Sequence, residues 1–208
     1  MKNTLYIFSL TVLLFLSACK NETKPEGPTK EEIKIEKANI NIDPSYAQIG
    51  LNIAFKTKAQ LGKNLMGTME EKGTLEALKF CNVKAIPLTD SMAIAHQATI
   101  KRVSDKTRNP INKANETELK NIEHFKSILA NKEELKPVVD TISDTVHFYY
   151  PIVTNAMCLQ CHGIPEKDLD PKLLTALNNL YPNDEALGYS ENQVRGIWSI
   201  QFKKTKDE

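Results

Sequence analysis

The sequence predicts an α+β domain, and three observations carry the prediction. Apolar residues recur at helical spacing over residues 49–98 and again over 116–130. The period then shortens, because residues 135–142 and 145–153 are rich in Val, Thr, Tyr and Ile. A last strand-like run, Gly196-Ile197-Trp198-Ser199-Ile200-Gln201-Phe202, comes near the C-terminus. Several helices beside a small antiparallel sheet would bury both kinds of apolar face.

In chain order, residues 1–18 read as a lipoprotein signal peptide. Lys2 supplies a short positive region, and residues 5–16 are mostly apolar. That run is shorter than the roughly 20 residues a bilayer-spanning helix needs. It ends in Leu16-Ser17-Ala18-Cys19, which resembles a bacterial lipobox and implies cleavage before Cys19 and acylation of that cysteine. Several acyl chains on one residue hold a protein stably on a lipid membrane. The expected location is the cell envelope, lipid-anchored and facing the periplasm or the cell exterior. Residues 19–46 are rich in Lys and Glu and punctuated by Pro25, Gly27, Pro28 and Pro44, the composition of a flexible charged tether. The folded domain is expected over residues 47–203, with 204–208 a polar tail.

Within the domain, Ile53, Ala54, Leu61, Leu65 and Met69 mark a helix over residues 49–71. Gly73 interrupts it, Thr74 is the N-cap candidate of a second helix over 75–85, and Pro87 marks a break before a third over 88–98. Residues 101–114 are polar and contain Arg108-Asn109-Pro110, so they read as a loop. The next helix, 116–130, places Leu119, Ile122, Phe125, Ile128 and Leu129 on its apolar side. Ser143-Asp144 between the two β-rich runs is a hairpin signal. Asn155 is placed to cap a short helix, and Pro171 to open another over 171–180. Trp198 reads as core.

Cys158-Leu159-Gln160-Cys161-His162 carries the chemistry. C-x-x-C-H is the attachment signature of a c-type haem, in which two thiols add across the porphyrin vinyl groups and the histidine coordinates iron. One helical turn sets the two sulfurs apart by the required span and brings the imidazole next. The expectation is one covalent haem c, bound through Cys158 and Cys161 with His162 as an axial iron ligand. The competing reading has no haem: a dithiol redox pair, or a zinc site built with Cys81 and a histidine. Adjacent Cys161 and His162 are awkward joint ligands for one tetrahedral ion.

The chain has four cysteines, and with Cys19 assigned to lipid and two to haem, Cys81 is left over. It reads either as a buried, inert small hydrophobe or as the second axial ligand. Met66, Met69, Met92, Met157, His96, His124 and His147, or an open position, are the alternatives for that ligand. Charge is nearly balanced at +1, from 27 basic and 26 acidic residues, and aromatics make up only 7%. With no basic-aromatic interleaving, nothing makes a case for nucleic acid. No Gly-rich phosphate loop, metalloprotease helix or Ser/His/Asp pattern is present, so no enzyme activity is expected.

Several blocks occur together in order: residues 75–81 ending in Cys81, Arg102-Val103-Ser104, Arg108-Asn109-Pro110-Ile111-Asn112, and Tyr150-Pro151-Ile152-Val153 ahead of Cys158-Leu159-Gln160-Cys161-His162-Gly163. Tyr181-Pro182, Gly188-Tyr189 and Arg195-Gly196 follow. The chain, over roughly residues 50–202, thereby resembles the Tll-type, PAS-like c-type haem domain family, formerly a domain of unknown function. The resemblance implies a PAS-like antiparallel sheet flanked by helices, a single covalent haem, and iron held between His162 and Cys81. A thiolate opposite imidazole favours ferric iron, so the reduction potential should be low. Reduction should weaken that bond and open a site for CO or NO. Arg102, Arg108 and Arg195 are candidate propionate partners, against the alternative of solvated surface arginines. Asn109 is a candidate haem-edge contact, or a loop-shaping residue.

The expected role is electron transfer or redox response by a membrane-tethered haem protein with an unidentified redox or signalling partner. The alternative is a haem-based sensory module, for redox state or a diatomic gas, that signals through another protein.

Overall fold

Strands Ala98–Val103 (β1), Val138–Ile142 (β2), Thr145–Val153 (β3) and Val194–Lys203 (β4) form one antiparallel sheet in the order β1-β4-β3-β2. The last strand of the chain is thus central. Helices Tyr46–Ala95 (α1), Glu116–Ala130 (α2), Ala156–His162 (α3) and Pro171–Leu180 (α4) accompany it, with a 3-10 turn at Pro110–Asn112. The structure is a computed structural model that describes residues 45–204. The signal peptide, Cys19 and nearly all of the tether lie outside the described residues.

The three helices expected between residues 49 and 98 are two: the 50-residue span α1 breaks at Gly73, as expected, where the backbone is non-helical at φ 81° and ψ 172°. Only glycine adopts that region readily. A straight helix rising 1.5 Å per residue would put Ile53 and Met92 roughly 60 Å apart. Both instead pack into the same core cluster, so α1 folds back on itself at Gly73. Pro87 does not end the helix. The carbonyl it leaves unpaired belongs to Val83, which is well exposed and so has water at hand.

Two expectations fail nearby. Residues 98–103 are a strand, not a helix end running into a loop. Thr99 and Lys101 point outward and made the segment look polar, while Ile100 and Val103 are buried opposite Ile200 and Ile197 of β4. Pairing with a central strand outweighs the weak local pattern. The apolar side of α2 is also narrower than expected, because Leu119 is exposed while Ile122 and Phe125 are fully buried. The hairpin is as anticipated: Ile142 pairs with Thr145, and Ser143 takes a φ of 55° in the turn.

Period-2 alternation gives the sheet two apolar faces. Val146, Phe148, Trp198, Ile200 and Phe202 pack with Ile53 and Ala54 of α1. Gly50 lets α1 approach this closely, since a Cβ there would overlap the Phe148 ring. Tyr149, Val194 and Ile197 pack on the other side with Ile122 and Phe125 of α2. A third cluster joins Leu78 of α1 to Leu169, Leu173 and Leu177 around α4, with Cys161 packed against it. This last cluster brings the returning half of α1 to the C-x-x-C-H helix.

Candidate functional site

Helix α3 is short because both its ends are fixed. The Asn155 side-chain oxygen accepts from the Cys158 backbone N–H at 3.2 Å and also from the Cys158 thiol at 3.2 Å. Gly163 ends the helix, with its N–H on the Leu159 carbonyl at 2.8 Å. A side chain at Gly163 would strike Asp168, whose carboxylate accepts from the Ile164 N–H at 2.8 Å. Cys158 and Cys161 therefore sit three residues apart on one face of a rigid turn, with His162 next.

His162 is held by the segment 184–189. Its Nδ1 lies 2.8 Å from the Ala186 carbonyl oxygen. A carbonyl only accepts, so the proton is assigned to Nδ1 and the Nε2 lone pair is left free. Arg195 Nε is 3.3 Å from the same Nδ1, which then offers it no lone pair; this is contact rather than a second hydrogen bond. Burial, then the charges of Arg195 and Arg108, lower the His162 pKa well below its ordinary value, against the opposing bond to Ala186. The imidazole is neutral at pH 7. Backbone bonds from Tyr189 N–H to the His162 carbonyl and from Gly188 N–H to the Gly163 carbonyl, each 2.9 Å, lock the segment to the end of α3.

Arg108 ties this brace together. Its Nε donates to Asp184 at 2.9 Å and its Nη2 to the Cys161 carbonyl at 2.6 Å. The pair is buried, with side-chain exposures of 12% and 3%. The other oxygen of Asp184 accepts from the Ala186 N–H at 2.8 Å, which fixes the carbonyl that orients His162.

Cys81 reaches the site from the returning half of α1, just after buried Ala77 and Leu78. Burial raises its pKa, and the charges of Arg102 and Arg108 oppose that rise. Cys161 is likewise raised by burial and lowered by Arg108, and it feels the charge of Cys81 and Cys158. Cys81, Cys161 and His162 therefore all feel the charge of Arg108, with Arg102 on the Cys81 side and Arg195 on the His162 side. Arg102 makes no salt bridge among the described residues, and burial lowers its pKa while Cys81 raises it.

The remaining residues singled out in the sequence fall elsewhere or serve the scaffold. Arg195 donates from Nη1 to the Ser104 hydroxyl at 2.8 Å and to the Lys106 carbonyl at 3.0 Å, and lies over the Tyr189 ring. The Asn109 side chain accepts from Ile111 N–H at 3.2 Å and shapes the 3-10 turn. Met92 packs on the α1 face of the sheet, His124 tilts against Phe125, and His147 lies in β3 opposite Gln201. Asp184, the Ala186 carbonyl and Tyr189 were not assigned a role from sequence. A lone Asp184 carries no spacing signal in the sequence, and a backbone acceptor has no side-chain signature.

A four-stranded antiparallel sheet with a folded-back helix that brings Cys81 toward a C-x-x-C-H turn defines an α+β domain. A family model described as Tll0287-like (Tll0287) matches residues 23–202, and the chain belongs to that family. The fold is similar to a solved structure titled "Crystal structure of the cyanobacterial heme-protein Tll0287". The TM-score is 0.52 at 22% identity, covering 76% of this chain and 97% of that one. The chain is also 24% identical over 198 residues to a protein named GrpE from Leptospira interrogans serogroup Icterohaemorrhagiae serovar copenhageni (strain Fiocruz L1-130). That match covers 90% of this chain and 86% of the relative. At that identity it assigns no role to any residue.

Proposed function

We propose that this chain is a lipid-anchored, mono-haem c-type protein that transfers electrons or responds to redox state, with His162 and Cys81 as axial iron ligands. The observation that carries the reading is the approach of Cys81, from a distant part of the chain, to Cys161 of the C-x-x-C-H helix, with Arg108 near both. The residues fit the group. Two free thiols one turn apart suit the two thioether bonds, and the imidazole keeps Nε2 for a metal because Ala186 holds Nδ1. Arg102, buried beside Cys81 and without a carboxylate partner among the described residues, suits a propionate. The solved relative is itself titled a heme-protein.

When bound, haem supplies a one-electron Fe(III)/Fe(II) couple. The protein's own residues set its working conditions. Arg108 and Asp184 fix the carbonyl that orients His162, and Arg102 and Arg108 favour the thiolate form of Cys81 against its burial. A haem-based sensor is the second reading. It is favoured by the position of Cys81 on the returning half of α1, a different element from the helix that carries Cys158, Cys161 and His162. Anchoring through Cys19 would place either device on a membrane facing the periplasm or exterior.

Oxidised and dithionite-reduced visible spectra of the protein made with a c-haem maturation system test the ligation. Low-spin thiolate features that vanish in Cys81→Ala support the His162/Cys81 pair. A haem spectrum unchanged by that substitution removes Cys81 from the iron. Retention of the protein in the membrane fraction, lost in Cys19→Ala, tests the anchor.

A further inference from the structure

We propose that Asn155 is a positioning residue for covalent haem attachment: its side-chain oxygen holds the Cys158 sulfur toward the N-terminal end of α3, splayed from Cys161, so that each thiol meets its own vinyl group. The proposal rests on the haem reading above. A helix cap needs only the Cys158 backbone N–H, which Asn155 Oδ1 accepts at 3.2 Å. The same oxygen also faces the Cys158 Sγ at 3.2 Å, an approach that capping does not require.

Asn155 is itself fixed from behind. Thr154, the buried residue before it, donates from Oγ1 to the Ser190 carbonyl at 2.7 Å and accepts there from the Gln193 N–H at 2.9 Å. The Thr154 backbone N–H and carbonyl bond Gln193 and Asn192, each at 2.9 Å. The two cysteines of the motif are placed by different means. Cys161 packs against the cluster of Leu78, Leu169, Leu173 and Leu177, and its carbonyl accepts from Arg108. Cys158 belongs to none of the three apolar clusters among the described residues, so Asn155 is the group that orders its sulfur.

The spacing matters to the chemistry. Side chains three apart on a helix stand with their Cβ atoms about 5–6 Å apart, wider than the roughly 3.5–4.5 Å of a disulfide. A sulfur drawn to the Asn155 end keeps the pair open, as bonds to two vinyl groups on neighbouring pyrrole rings require. Each attachment adds a thiol across one vinyl double bond: sulfur bonds one carbon, the thiol proton goes to the other, and neither oxidant nor reductant is consumed. Released from Asn155, the Cys158 χ1 torsion would spread over its staggered wells and cut the productive share about two- to threefold.

Asn155→Gly separates the two roles, because glycine caps a helix nearly as well as asparagine but offers no oxygen to the sulfur. Asn155→Asp keeps that oxygen. In the haem-free protein, Raman spectra should show a Cys158 S–H stretch lowered by its acceptor, identified by its loss in Cys158→Ser and moved up in Asn155→Gly. In protein made beside a c-haem maturation system, Asn155→Gly should slow double attachment about two- to threefold. The lagging chains should give a pyridine haemochrome band at the longer wavelength of a porphyrin with one vinyl group unreacted. Asn155→Asp should restore both readouts. Equal double attachment in wild type and Asn155→Gly, an S–H stretch that Asn155→Gly does not move, or Asn155→Asp behaving as Asn155→Gly overturns the proposal alone. Wild-type chains without haem, beside a control cytochrome that matures, overturn the haem reading and the proposal with it.

Discussion

Arg108 holds a pair that is both buried and structural, so its removal has a calculable consequence. Arg108→Met keeps the aliphatic stem but leaves Asp184, whose side chain is 3% exposed, without its cation. Breaking a buried pair from one side costs about 3–5 kcal/mol. That total includes the charged hydrogen bond to the Cys161 carbonyl, of order 1.5–3 kcal/mol. Domains are stable by only about 5–15 kcal/mol, so the variant should lose a large share of its stability. Urea denaturation at pH 7 measures it, with Lys79→Ala as the control. The Lys79–Glu76 pair is 55% and 45% exposed, and its loss should cost no more than about 1 kcal/mol. Arg108→Met/Asp184→Leu removes the orphaned charge but restores no donor to the Cys161 carbonyl, so it should recover only part of the loss. The Cys161 carbonyl and the Ala186 N–H, both left without their partners, account for the remaining loss of about 2–4 kcal/mol. A cost for Arg108→Met as small as that of Lys79→Ala would refute the claim that this pair fixes the brace on His162.

Other expectations concern the scaffold. Gly73→Ala forces a Cβ into a backbone region nearly exclusive to glycine and should cost about 1–3 kcal/mol in urea denaturation. Asn155→Ala removes the cap of α3 and should cost about 1 kcal/mol, read as a lower melting temperature with the far-UV circular dichroism unchanged. The Asp105 carboxyl is pushed up by burial but more strongly lowered by the hydrogen bond and charge of Lys126, so its net pKa falls. A carboxyl lowered on folding contributes stability above its unfolded value, near pH 4, and loses it as pH falls through the lower folded value. Both side chains are partly exposed, so the effect is small. Asp105→Asn should accordingly cost a little stability at pH 7 and none where the carboxyl is already protonated in the folded chain, which flattens the acid limb of the stability–pH curve below about pH 4.

What the sequence makes legible is what local chemistry encodes. Asn155, Pro171 and Gly73 have physical effects confined to one turn, and each stands where that effect placed it. Strands β3 and β4 are read easily because both their faces are covered, one by α1 and the other by α2. Strand β1 is not, since only Ile100 and Val103 are buried and Arg102 turns toward the thiols. The fold-back of α1 is equally hidden. Gly73 announces a break, but only the packing of Met92 near Ile53 shows the direction. At the site, Cys158, Cys161 and His162 declare themselves by spacing. The carbonyl of Ala186 and the buried partner of Arg108 come from a segment more than twenty residues downstream in the chain, and tertiary contact alone reveals them.

Covalent haem attachment is the most direct test of the central claim. The protein is produced beside a working c-haem maturation system, denatured and extracted with acidified organic solvent, and its pyridine haemochrome spectrum is recorded. One haem per chain should stay with the polypeptide, and haem should be released or absent in Cys158→Ala/Cys161→Ala. A chain that carries no haem while a control cytochrome matures in the same cells would contradict it.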